Sequence, residues 1–282
     1  MTGKTAFVTG ASRGIGAESA VALARCGYDV VITARTAVEG EAHDHIGKMS
    51  ALPGSLAATA EAIRREGRRA LSVQADILDE KSIVAAADQA LAEFGGIDLL
   101  FNNAVYQGDG NLSPVLDIER AHLDSIMQGN FYTPLALVKA LLPGMLQRGG
   151  GTIINMVSYT AFNNPPAPAD RGGWSFAYPA SKAALARMAG SLRVEHANSG
   201  LRCFNLEPGT VLTEVMKAAG ITEEVLKRFQ ACSPAAIASV VAWLADNEPH
   251  TDWGAEDVLR GPAIAKQLKL LGAPSFLENE DG

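Results

Sequence analysis

The sequence is short of the residues that build several kinds of protein. It holds only three cysteines, Cys26, Cys203 and Cys232, and they are scattered. With no Cys-x-x-Cys pair and no Cys/His cluster, it has neither a zinc module nor a disulfide framework, and the thiols read as reduced core residues. Basic charge is also scarce. The net charge is −7, and the clustered Lys and Arg that a nucleic-acid surface needs are missing. No apolar run is long enough to span a bilayer, and the strongest, "TPLALVKALLPGML", carries Lys139. The strand-like "KTAFVTGAS" begins almost at the first residue, which leaves no room for a secretory leader. These absences predict a soluble cytoplasmic protein that binds no metal, nucleic acid or membrane. The acidic end "ENEDG" reads as part of a flexible tail over 276–282.

What is present points to a single large core. Apolar residues make up 48% of the chain and charged residues only 20%. Apolar, β-rich runs at 5–9, 28–34, 69–75, 97–101, 151–157 and 201–206 alternate with helix-like stretches at 17–26, 55–67, 80–94, 115–148 and 180–198. Continuously apolar strands alternating with helices predict a parallel sheet covered on both faces. That is one doubly wound, three-layer α/β/α Rossmann domain over 1–282, with ligands at the carboxyl ends of the strands. Two insertions interrupt it, at 36–54 and 159–177. His43 and His45 in the first have metal-like spacing but no partner of defined geometry, so the segment reads as a solvated loop.

The turn after the first strand, "VTGASRGIGAESA", has glycines at Gly10, Gly14 and Gly16 and opens a helix. Gly10 permits the tight turn, Gly14 lets backbone approach a pyrophosphate, and Gly16 allows close helix–strand packing. Ser12 and Ile15 belong to the same cradle, and the helix N-terminus offers free N–H groups to phosphate. An ATP-type loop would need a Gly-Lys-Ser/Thr ending, which is lacking. An acidic residue at the end of the second strand, which would hold the ribose hydroxyls of NAD, is lacking too. Ala34 stands there, followed by Arg35 and Thr36, and Arg13 reaches the same pocket. Two guanidiniums and a hydroxyl suit a phosphate dianion, so NADP(H) is expected over NAD(H). At "ADI", Asp76 accepts from the adenine amino group, with Ile77 against the ring; the alternative is helix capping by a nearby acid.

Together the motifs resemble those of the short-chain dehydrogenases/reductases, through about residue 215. The matching pieces are "TGASRGIG" (9–16), "ADI" (75–77), "NNA" (102–104), Asn130 in "MQGNFYTPL", "GTIINMVS" (151–158), "YPASK" (178–182) and "EPGTVLT" (207–213). The resemblance implies catalysis by Asn130, Ser158, Tyr178 and Lys182. Tyr178 and Lys182 stand one helical turn apart on one face. A free phenol has a pKa of ~10, and a nearby ammonium lowers it toward use as a base. Tyr178 then exchanges the alcohol proton, and Lys182 also holds the nicotinamide ribose. Ser158 stabilises the substrate oxygen, and Asn130 helps hold a water that links the lysine to solvent. Asn103 and Ala104 support the cofactor. Pro208 and Gly209 fix a turn beside the nicotinamide, where backbone near Val211 and the Thr213 hydroxyl bind its carboxamide. The cofactor carries the hydride.

The chain also departs from that pattern. Val105 replaces the usual glycine after "NNA", and the chain end lacks the usual glycine-rich segment, which leaves a seventh strand near 256–260 open. The insertion at 159–177 lengthens the path from Ser158 to Tyr178, but doubling a surface loop costs only ~0.6 kcal/mol of closure entropy. Its Phe162, Trp174 and Phe176 form either an apolar wall for the substrate or a solvent-exposed bulge. Residues 207–232 read as a lid. The expected activity interconverts a secondary alcohol and a ketone, with a non-catalytic NADP(H)-binding sensor or scaffold as the competing class. By resemblance the assembly is a homodimer or homotetramer formed through helices at 115–148 and 180–198, where Ala183, Ala184, Ala186, Ala189 and Gly190 permit close approach.

Overall fold

The computed structural model describes residues 3–44, 49–218, 231–249 and 258–270. The strands are β1 (Thr5–Thr9), β2 (Asp29–Ala34), β3 (Ala42–Asp44), β4 (Met49–Ala51), β5 (Ala70–Gln74), β6 (Leu99–Asn102), β7 (Gly151–Met156), β8 (Leu201–Glu207) and β9 (Leu259–Arg260). The helices are α1 (Gly14–Arg25), α2 (Leu56–Arg65), α3 (Glu80–Phe94), α4 (Arg120–Met127), α5 (Thr133–Gln147), α6 (Ala177–Glu195), α7 (Glu214–Ala218), α8 (Pro234–Asp246) and α9 (Gly261–Gln267).

Seven strands form one sheet in the order β5-β2-β1-β6-β7-β8-β9, and every pairing in it is parallel. The chain moves outward from β1 in both directions. A crevice therefore opens between the carboxyl ends of β1 and β6, where ligands of doubly wound sheets bind.

Alternation within β1 explains the layers. Phe7 packs with Ile83, Leu100, Leu141 and Met188, from α3, β6, α5 and α6. Its neighbours Ala6 and Val8 pack on the opposite face with Leu23, Ile63 and Val240, from α1, α2 and α8. Successive side chains point to opposite faces, so a strand buried on both must be apolar throughout. The seventh strand, left open by the sequence, exists as a two-residue pairing of Leu259 and Arg260 with Leu206 and Glu207.

Three local expectations change. The insertion at 36–54 is not merely a solvated loop: β3 and β4 pair antiparallel, Ala42 with Ala51 and Asp44 with Met49, while His45 lies outside the described residues. The helix expected over 115–148 begins only at Arg120 and passes through a π-helical turn, Gln128–Tyr132, between α4 and α5. Cys26 is exposed at the end of α1 rather than in the core, whereas Cys203 and Cys232 are buried. Burial pushes both buried thiols up to about 12, as suits unreactive core residues. Of the expected lid, 207–218 and 231–232 are described and 219–230 lie outside the described residues, as does the 276–282 tail. Among the described residues no helix is long and apolar enough to cross a membrane, and no group of three or more His, Cys, Asp or Glu is placed to hold a metal ion.

Candidate functional site

The glycine turn is shaped by contacts that side chains would forbid. Gly10 has φ +66°, and a Cβ there would lie 2.8 Å from Ala104 Cα. A Cβ on Gly16 would stand 2.2 Å from the Gly10 carbonyl oxygen. Both spacings are below any real carbon contact, so β1, the turn and α1 close up only with glycine present. Asn103 ties the other side down, its Nδ2 donating to Thr9 O (2.9 Å) and Gly10 O (3.2 Å). Thr9 Oγ1 accepts from the backbone N–H of Asn103 and of Ala104, both at 3.0 Å. α1 has neither a capping side chain nor an acid in its first turn. Its first N–H groups are left for a ligand.

A cavity of about 520 Å³ extends from this turn along the sheet edge. Every residue expected to bind the cofactor lines it, from Arg35 and Thr36 at one end to Val211 and Thr213 at the other. Its size and glycine floor fit an extended dinucleotide. Asp76 Oδ1 accepts from the Leu78 N–H at 2.9 Å, while Asp79, not Asp76, caps α3. Asp76 is thus tied into a tight turn at the cavity wall, and the nearby acid Asp79 supplies the cap.

The adenosine end differs from expectation. Arg13 does not project freely: Nε donates to Pro53 O (2.9 Å), and Nη2 to Gly54 O (2.8 Å) and Thr36 Oγ1 (3.1 Å). The insertion thereby becomes a strap across the glycine turn. Burial lowers the Arg13 pKa, and Glu214 and Glu39 oppose that shift. Arg35 Nη2 donates to Asp44 O at 2.9 Å, and the Asp44 carboxylate, carried in by β3, lines the same end of the cavity. The sequence at the end of β2 gives no sign of this acid, because the hairpin supplies it from ten residues further along.

At the other end stand the groups expected to react. Tyr178 and Lys182 lie in the first turns of α6. Lys182 is 1% exposed, and its Nζ donates to Met156 O at 2.8 Å. It sits 5.9 Å from the centre of the Tyr178 ring. Burial pushes Lys182 down to about 7 and Tyr178 up to about 12. The Tyr178 shift thus runs opposite to the lowering expected from the ammonium, and burial is its largest cause. The polar side chains of Ser158 and Gln107 pull the Tyr178 value down, and Glu207 pushes it up. Ser158 Oγ also pairs with Thr160 Oγ1 at 3.0 Å, which orients the serine hydroxyl.

Asn130 is fully buried and lies behind the cavity wall. Its Oδ1 accepts from the Tyr106 N–H (2.7 Å), and its Nδ2 donates to Tyr106 O (3.1 Å) and Ser181 Oγ (3.1 Å). Ser181 Oγ donates in turn to Tyr178 O at 2.8 Å. The π-turn thus aims one carboxamide at both the loop after β6 and the start of α6. In the 159–177 insertion, Trp174 packs edge-on against Tyr159 with ring centres 6.2 Å apart, and Ser175 Oγ donates to Asn111 O. Phe162 and Phe176 remain 38% and 47% exposed. Sequence reasoning missed Gln107, Thr160 and Asp44. Gln107 sits in a loop, Thr160 in a single 3-10 turn and Asp44 at the end of a three-residue strand, all too short for periodicity or a motif to indicate which way a side chain turns.

Comparisons with known proteins agree with this geometry. The family model described as short chain dehydrogenase matches residues 4–53 and 46–224. A short chain dehydrogenase/reductase, astE, from Aspergillus oryzae is 31% identical over 88% of this chain and 89% of its own length. A 7α-hydroxysteroid dehydrogenase solved with NADH and 7-oxo glycochenodeoxycholic acid superposes with a TM-score of 0.73 at 25% identity, covering 91% of this chain and 92% of that one. A metagenomic short-chain oxidoreductase solved with NADP gives 0.67 at 30% identity, covering 91% and 96%. With the glycine cradle and the seven-stranded sheet in place, and Tyr178 and Lys182 lining the cavity, the chain belongs to the short-chain dehydrogenase/reductase family of NAD(P)-binding oxidoreductases.

Proposed function

We propose that the protein is an NADP(H)-preferring oxidoreductase that interconverts a secondary alcohol and a ketone, with Tyr178 as acid and base. The observation that carries this reading is the placement of Tyr178 with the buried Lys182 on a cavity whose floor is the glycine cradle, with Ser158 near enough to lower the phenol. The dinucleotide supplies or accepts the hydride. In reduction the Tyr178 O–H bond breaks and its proton passes to the carbonyl oxygen, which Ser158 Oγ also engages as charge develops. In oxidation the proton returns by the same path. Lys182, with a pKa of about 7, faces the phenol's ring and stabilises the phenolate in its ammonium form.

Preference for NADP(H) is supported by Arg35, Thr36 and Arg13 at the adenosine end, and Asp44 beside them opposes it. Val105, Val215 and Met216 line the cavity and favour an apolar substrate. The same reading holds the protein to be cytoplasmic and a homodimer or homotetramer. Ala186 and Ala189 pack inside the chain, so Ala183, Ala184 and Gly190 remain for close helix approach.

A panel of alcohols and carbonyl compounds followed by NADPH absorbance tests the activity. Tyr178→Phe is expected to abolish turnover, and undiminished turnover of every substrate found would refute the mechanism. Titration with NADPH and NADH tests the cofactor choice. Tighter NADH binding would assign the adenosine end to Asp44 and remove the arginines' role.

A further inference from the structure

The guanidinium beside the glycine turn is committed before any nucleotide arrives. Arg13 Nε donates to Pro53 O at 2.9 Å, and Nη2 donates among Gly54 O (2.8 Å), Thr36 Oγ1 (3.1 Å) and Leu52 O (3.3 Å). Three of these four acceptors are backbone carbonyls on the path from β4 into α2. Backbone packing follows the same line. Gly54 has φ +98°, and a Cβ there would stand 2.5 Å from Ser12 O and 2.9 Å from Arg13 Cβ. Two acids fix the strap from within: Glu39 Oε1 accepts from the Gly54 N–H at 3.0 Å, and Glu41 Oε2 from the Ala37 N–H at 2.7 Å. The insertion is therefore a shaped piece, and Arg13 fastens it to the turn that carries the cradle.

A bidentate grip on phosphate takes two parallel N–H bonds from one face of a guanidinium. Both such faces, Nε with Nη2 and Nη1 with Nη2, draw on Nη2, which carries two protons. In Arg13 those two protons already serve three oxygens. Arg35 Nη2 gives a single bond among the described residues, to Asp44 O at 2.9 Å. Resting on the proposed NADP(H) preference, we propose that Arg13 is a positioning residue that clamps the 36–54 strap onto the glycine turn, and that Arg35 is the guanidinium that grips the 2′-phosphate. The strap carries Thr36 and Asp44 of the cavity wall. A nucleotide with or without the phosphate meets that wall, so a loosened strap lowers the binding-competent fraction for both cofactors alike.

The test compares Arg13→Met, Gly54→Ala and Arg35→Met with wild type by titration with NADPH and with NADH. Arg13→Met is expected to raise both Kd values by one common factor, about tenfold if the strap is in place about a tenth of the time. The ratio of the two affinities then stays as in wild type. Gly54→Ala lifts the strap with both guanidiniums intact and should give the same common loss. Arg35→Met should instead cut the NADPH-to-NADH ratio by about tenfold or more, the effect of a charge-assisted pair. Hydrogen exchange of the ligand-free proteins supplies the second readout. Peptides covering 36–44 and 49–56 should exchange faster in Arg13→Met, while those of β1 and β6 exchange as in wild type. A loss confined to NADPH in Arg13→Met, or unchanged exchange in the strap peptides, would overturn the proposal. Tighter binding of NADH by wild type would sink the NADP(H) reading and the part given to Arg35. The clamp then stands or falls on the common factor and the exchange rates.

Discussion

Lys182→Met should make the ligand-free protein more stable while abolishing its activity, and the gain should fade as pH rises. Lys182 is 1% exposed, and burial holds its pKa at about 7 against an ordinary 10.5. At about 1.4 kcal/mol per pH unit, keeping the ammonium buried costs about 5 kcal/mol below pH 7. Methionine removes that cost but leaves Met156 O without its 2.8 Å donor, which takes back about 1–3 kcal/mol. The net gain near pH 6 is then about 2–4 kcal/mol. Between about pH 7 and 10.5 the unfolded lysine holds a proton that the buried one has released. The unfolded state binds more protons there, so wild-type stability rises with pH while that of the methionine variant does not. Urea unfolding of both proteins without cofactor, at intervals from pH 6 to 9.5, measures the difference. Parallel curves across that range would refute the account, because they would mean Lys182 is not desolvated.

Gly16→Ala should weaken NADPH binding at least tenfold, measured by fluorescence titration, because its Cβ would meet Gly10 O at 2.2 Å and force the cradle open. Stability should fall by ~1–3 kcal/mol from the same overpacking. Phe7→Ala, which empties a site touched by β6, α3, α5 and α6, should cost ~3–5 kcal/mol in urea unfolding. It should leave the cofactor Kd intact at a temperature where the variant is folded.

The sheet was legible in the sequence because its strands are apolar on both faces and its helices are periodic. β1 shows this: "TAFVT" cannot be placed anywhere but in the middle of a covered sheet. The glycine cradle was legible because close backbone approach leaves glycine as the sole option at Gly10 and Gly16. What escaped lies where neither signal operates. The strap contacts of Arg13 depend on carbonyls some forty residues downstream, and no local pattern encodes such a partner. The π-turn at Gln128–Tyr132 is marked only by Gly129, and a lone glycine is tolerated inside a helical pattern, so the sequence reads through it as one helix. The rise of the Tyr178 value, against the expected fall, depends on how fully α6 is covered, and the Tyr/Lys spacing is silent on burial.

The Arg13 staple makes the adenosine wall a two-piece construction. One piece is the turn after β1, and the other is a hairpin that enters the chain only after β2 is complete. Cofactor preference in this protein is therefore not a portable property of the first βα unit. A chimera that transplants residues 5–25 into a related scaffold would carry Arg13 without the carbonyls that hold it, and would leave a mobile guanidinium over the ribose. Moving residues 36–54 alone would bring Asp44 without Arg13 to secure the strap. Redesign of the nucleotide specificity has to move both segments together, as if they were a single exon split by a strand.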